Sequence, residues 1–199
     1  MINLAGGNPK MIKTIKLDPQ EYCNILYLPI YIEWQGFKIP KRVMPYLPII
    51  KEIPVEYNYM YITIKHQYVE AQGYGNRPGW HVDGFLSNNK EYVWCSREPT
   101  EYISISEYEE VAEHETALEN FNRLGTARRI QSLHPETLYF LGKTIHRTPK
   151  IIEGGVRTFV KISCSNEKFN LKGNAVNELL KYKWKYYDRE ITRNHPTHS

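Results

Sequence analysis

From Tyr59 to Val69 the chain alternates: Tyr61, Thr63, Lys65 and Gln67 fall between Ile62, Ile64, His66 and Tyr68. Successive side chains of a strand point to opposite faces, so this period of two predicts a β-strand. Shorter strand-like runs follow at Tyr92 to Cys95, Tyr102 to Ile105, Thr137 to Leu141 and Val156 to Ser163, with Pro99 between the first two. Short strands punctuated by Pro and Gly turns predict an antiparallel sandwich with a few flanking helices, a mainly β fold of the α+β class. The 199 residues fit one domain, with its core over about 59–165.

The flanks read differently. Residues 1–10 carry Gly6, Gly7 and Pro9 and read as a flexible leader, with Met11 as a second candidate start. A strand is expected from Lys13 to Leu17. Asp18-Pro19-Gln20-Glu21 has the pattern of a short helix start. Residues 34–58 hold Pro40, Pro45, Pro48 and Pro54, which removes them from any sheet centre. Together 11–58 form a covering segment, read either as a plain loop over the core or as an active-site flank. Ser106 and Glu109 suggest a capping box for an amphipathic helix ending at Gly125. Val176, Leu179, Leu180, Trp184 and Tyr187 suggest a C-terminal helix over about 174–189. Its Lys181, Lys183 and Lys185 are read as a solvated face, so no nucleic-acid partner is expected.

Three cysteines without C-x-x-C spacing argue against a disulfide framework or a zinc ribbon. No apolar run is long enough for a membrane span, and Met1 to Lys16 lacks the apolar centre of a signal peptide. A cytoplasmic setting is the expectation. The net charge of +4 is too small to indicate a polyanionic partner.

The chemistry concentrates after the long strand, in Pro78-Gly79-Trp80-His81-Val82-Asp83-Gly84-Phe85. His81 and Asp83, one residue apart where a strand bends, can turn toward one metal ion. His146 lies downstream in a strand-turn-strand context, and Arg157 lies inside the next strand-like run. Two histidines and one carboxylate make the facial triad that leaves open positions on a non-haem Fe(II) ion. The plainer reading makes His81 and Asp83 surface-turn residues between Gly79 and Gly84.

The order His81-x-Asp83, His146, Arg157 resembles the superfamily of 2-oxoglutarate/Fe(II)-dependent dioxygenases. The resemblance covers roughly 59–165. It implies a double-stranded β-helix, or jelly roll, with the ligands at one open end. It implies His81, Asp83 and His146 as ligands of Fe(II), with 2-oxoglutarate and O2 as co-substrates. Succinate and CO2 would form as an unknown primary substrate is hydroxylated or oxidatively demethylated. Arg157 would bind the distal carboxylate of 2-oxoglutarate, helped by a hydroxyl from Tyr68 or Tyr92. Arg77, Trp80 and Phe85 would flank the mouth and touch substrate. Alternatives are a cupin-like metal enzyme that does not use 2-oxoglutarate, and a non-catalytic jelly-roll binding or structural protein.

Overall fold

The computed structural model describes residues 2–5, 7–76, 78–84, 87–105, 107–110 and 114–189. Twelve strands and two α-helices are assigned among them. In chain order they are β1 (Ile2–Ala5), β2 (Lys10–Thr14), β3 (Cys23–Ile32), β4 (Gly36–Phe37), α1 (Leu47–Ile50), β5 (Tyr59–Val69), β6 (Lys90–Cys95) and β7 (Glu101–Ile103). Then come β8 (Glu107–Glu110), α2 (His114–Ala127), β9 (Ile130–Ser132), β10 (Thr137–Phe140), β11 (His146–Arg147) and β12 (Gly155–Ser165).

A seven-stranded antiparallel sheet runs β2-β10-β6-β12-β5-β3-β4, and a smaller one runs β11-β7-β9. His81 pairs with His146 as an isolated antiparallel bridge, which adds a fourth chain to the edge of the small sheet. The strand expected over Tyr59–Val69 has those bounds and pairs along its whole length with β12, Tyr59 opposite Ser165 and Val69 opposite Gly155.

Alternation along β12 gives the large sheet two unlike faces. Val160, Ile162 and Cys164 pack with Ile62, Ile64, Trp94 and the covering residues Val43, Tyr46, Ile49 and Ile50. Each such aliphatic side chain contributes about 1.5–3 kcal/mol when fully buried, so this layer dominates the core. The proline-rich segment is therefore a lid on the core, and it lies on the face away from His81, Asp83 and His146. Pro48 is in the first turn of α1, where a helix tolerates it, and Pro45 lies within the 3₁₀ turn Lys41–Tyr46. On the other face Phe159 joins Val93, Cys95, Tyr139 and Leu141. Arg157, Lys161 and Ser163 share that second face by their even spacing from Phe159.

Several expectations are overturned. Residues 15–22 form no helix, and β3 follows directly, with irregular pairing between Ile25 and Leu28, where Tyr27 lies, and again between Pro29 and Tyr31. Pro29 still pairs with Tyr61 and is tolerated beside the register shift that follows it. The helix expected from Ser106 begins later: 107–110 pair with β1, and α2 runs through Gly125 to Ala127. Residues 174–188 contain no helix. Instead Leu180, Tyr182 and Trp184 pack with Phe169 against Tyr59 and Tyr61, while Val176 and Leu179 stay exposed. Lys181-Tyr182-Lys183-Trp184-Lys185 alternates exposed lysine with half-buried aromatic, an extended pattern. Asn177 pins this strap by donating through Nδ2 to the carbonyls of Pro29 and Lys38, both at 2.8 Å.

Candidate metal centre

The turn that carries His81 and Asp83 is set by two glycines in the left-handed region, Gly79 at φ 96° and Gly84 at φ 65°. Between them Trp80 and Val82 point into a small apolar cluster with Ile103, Ala117, Phe121 and Ile145. Alternation then sends His81 and Asp83 the other way. Trp80 packs so closely on α2 that a Cβ at Gly125 would stand 2.2 Å from its Nε1, which explains the glycine in the last turn of that helix. The Arg147 guanidinium lies 4.6 Å over the Trp80 ring and donates through Nε to Glu101 at 2.7 Å. Lys143 ties the far side of the turn by donating to the carbonyls of Gly84 and Ser87.

His81 and His146 exchange both backbone hydrogen bonds at 2.9 Å, which places their rings side by side, 4.5 Å between centroids. The candidate ligand atoms of His81, Asp83 and His146 all lie within 4.8 Å of one another. Ligands at right angles on one ion, each bound at about 2.1 Å, stand about 3 Å apart. The cluster therefore closes on an ion with small side-chain rotations. Both rings are oriented by the chain. Nδ1 of His81 bonds to Gly79 O at 2.8 Å and Nδ1 of His146 to Thr144 O at 2.9 Å. A carbonyl oxygen only accepts, so each Nδ1 carries a proton and Nε2 is the nitrogen left to face an ion.

The electrostatics favour the ligating forms. Burial, aided by the neighbouring His146, lowers the pKa of His81 to about 4, so its imidazole is neutral near pH 7. Burial opposes ionising Asp83. Lys161 and His146 outweigh that and hold its carboxyl well below the usual carboxylate range. Asp83 Oδ2 is 3.4 Å from His146 Nε2, and Oδ1 accepts from Lys161 Nζ at 3.1 Å.

No motif marks Lys161, although a lysine amid Phe159-Val160-Lys161-Ile162 in a buried strand is the available signal. Burial disfavours its charge, and Asp83 and Tyr27 more than compensate, raising its pKa well above the ordinary lysine value. Its second partner is the Tyr27 hydroxyl, at 3.1 Å. Tyr27 reaches it from the β3 bulge with φ 46°, a strained value for a non-glycine residue. Nothing in the sequence around Tyr27 announces that bulge. Behind them, buried Glu91 accepts from Ser163 Oγ at 2.5 Å. Burial pushes its carboxyl up to about 7, with Lys161 pulling the other way.

The remaining expected site residues divide sharply. Arg157 is buried on the Lys161 face, two alternations away, or about 13 Å along the strand. Its Nε donates to the carbonyls of Arg97 and Glu98, and its Nη2 to Glu98 O and Cys95 Sγ. Tyr92 is buried with Ile162 and Trp94 on the opposite face of the sheet, so it is a core residue. Tyr68 shares the face of Ile62 and Ile64 by alternation and is 59% exposed, so it too points away from the triad. Trp80 is buried against α2 and is a packing residue, not a mouth residue. Arg77 and Phe85 lie outside the described residues.

Among the described residues, no helix is long and apolar enough to cross a membrane. No family model, curated protein or solved structure matches this chain.

Proposed function

We propose that this protein is a 2-oxoglutarate- and Fe(II)-dependent oxygenase of jelly-roll architecture that hydroxylates or oxidatively demethylates its substrate. One observation carries the reading: two backbone-oriented histidines and one ionised carboxylate converge from chain positions 81, 83 and 146. Supporting the jelly roll, the chain alternates between sheets. It passes from β5 in the large sheet to His81 at the small one, then β6 large, β7 and β9 small, β10 large, β11 small and β12 large.

His81 Nε2, His146 Nε2 and one oxygen of Asp83 would hold Fe(II) on one side and leave the opposite side open. The ion, when bound, supplies activation of O2 at the expense of the 2-oxo acid. The chain's own part is placement. Lys161 is the cation beside the triad. Its ammonium has three donors, of which Tyr27 and Asp83 take two, and the third is suited to the distal carboxylate of 2-oxoglutarate. Arg157, whose Nε and Nη2 reach the carbonyls of Arg97 and Glu98, braces the loop after β6. The apolar wall of Phe159, Val93 and Tyr139 excludes water from the interior.

The test is conversion of 2-oxoglutarate to succinate by purified protein supplied with Fe(II), in the presence and absence of O2. Turnover that needs both supports the reading. Metal binding without turnover would favour a cupin-like enzyme, and no metal binding a non-catalytic role.

A further inference from the structure

Asp83 is the one anionic member of the triad, and its two oxygens are treated differently. Oδ2 faces His146, whereas Oδ1 is held by the Lys161 ammonium, which is in turn fixed by the Tyr27 hydroxyl. We propose that Lys161 is a specificity-determining residue for the metal: it matches the charge of Asp83 and holds the carboxylate to one oxygen, so that the site takes imidazole-binding transition ions and rejects Mg2+ and Ca2+. This inference rests on the metal-centre reading above.

The argument is one of charge and hardness. Lys161 offsets the negative charge of Asp83, the one carboxylate of the triad. Mg2+ and Ca2+ are hard ions that bind through charged and carbonyl oxygens, and Ca2+ favours carboxylates that offer both oxygens. A triad whose one carboxylate is paired with an ammonium and has one oxygen available gives them little. Transition ions gain from the two imidazoles and are less dependent on site charge. Lys161 is buried and pinned between two partners, so it cannot swing away to expose the second oxygen without losing both contacts. It touches no ligand position itself, and so acts on the metal through Asp83.

The experiment titrates Mn2+ into the chelator-treated protein, read by the loss of free Mn2+ resonance signal, with and without millimolar Ca2+. Wild type and Lys161→Met, Lys161→Gln and Lys161→Arg variants are compared, without 2-oxoglutarate. Removing a cation a few ångströms from a divalent ion relieves repulsion, so both neutral variants are expected to bind Mn2+ about tenfold tighter or more. They should also become sensitive to Ca2+, whereas Lys161→Arg and wild type should not. A merely structural lysine would give the opposite sign, with weaker binding in a loosened site. Lys161→Gln keeps a hydrogen-bond donor for Asp83 and guards against a folding failure of Lys161→Met. Unchanged or weaker Mn2+ affinity in a folded neutral variant overturns the inference. Failure of the wild type to bind Mn2+ or any transition ion would instead remove the metal centre itself.

Discussion

His81 and His146 are a hydrogen-bonded antiparallel pair, each backbone N–H donating to the other's carbonyl at 2.9 Å. The contact that closes the small sheet is thus the contact that sets two candidate ligands side by side. Fold and site cannot be perturbed independently here, and the packing beneath this pair should be felt at the metal.

Gly125 tests that link from a distance. A methyl group there would overlap the Trp80 ring, one residue before His81. Overpacking of this kind costs about 1–3 kcal/mol, against which alanine returns up to about 1 kcal/mol of helix propensity. Gly125→Ala is expected to lower the thermal midpoint and to weaken transition-metal binding. Adding Trp80→Phe should recover part of both. Unchanged metal affinity alongside a lowered midpoint would show the turn to be independent of α2.

Glu91 gives the metal-free protein a pH dependence with a definite sign. Its folded value, about 7, stands above the ordinary 4.5. At lower pH than both values each state is protonated and the group contributes nothing. Between them the folded chain keeps a proton that the unfolded chain releases, so stability falls as pH rises, with a cost on the order of 3 kcal/mol once the pH is above the folded value. Glu91→Gln removes that cost. Urea unfolding at about pH 5 and about pH 8 should show the variant gaining on wild type at the higher pH only. An equal difference at both would contradict the assignment.

Arg157 and Lys161 make separable demands on the co-substrate. In metal-saturated protein, Lys161→Met is expected to weaken 2-oxoglutarate binding by about tenfold or more, through loss of a charge-assisted hydrogen bond. Arg157→Ala leaves the carbonyls of Arg97 and Glu98 without their donor. Its main effect should be on stability, about 1–3 kcal/mol. Equilibrium titration with 2-oxoglutarate checks this. The reverse order of effects would return the carboxylate to Arg157.

The parts legible in the sequence are those where one local period decides. Tyr59 to Val69 carries the period of two and Val156 to Ser163 reads as a buried run, and both are strands. His81, Asp83 and their flanking glycines form a turn whose geometry is local, so the candidate ligands could be named. Tyr68 and Tyr92 show the limit. Each lies on a correctly expected strand, but which face meets the triad depends on pairing with β12, which no local pattern encodes. Tyr27 depends on a bulge between β3 and β5, and Lys161 acquires its meaning only when Asp83 arrives from the other sheet. At the C-terminus two periods compete. Val176, Leu179, Leu180 and Trp184 fit a helix, while the lysine-aromatic alternation that follows fits an extended strap, and the packing of the Trp184 ring edge-on to Tyr59 and tilted against Tyr61 favours the second.

The most direct measurement of the central claim is succinate formed from 2-oxoglutarate by wild type and by Asp83→Ala and His146→Ala, each with added Fe(II) and air. His146 is buried, so its loss costs some stability, and circular dichroism should confirm that each variant is folded. The account expects Fe(II)-dependent succinate from wild type and a loss of at least about a hundredfold in both variants. Succinate formation that is absent from wild type, or equal in folded Asp83→Ala and His146→Ala, would contradict it.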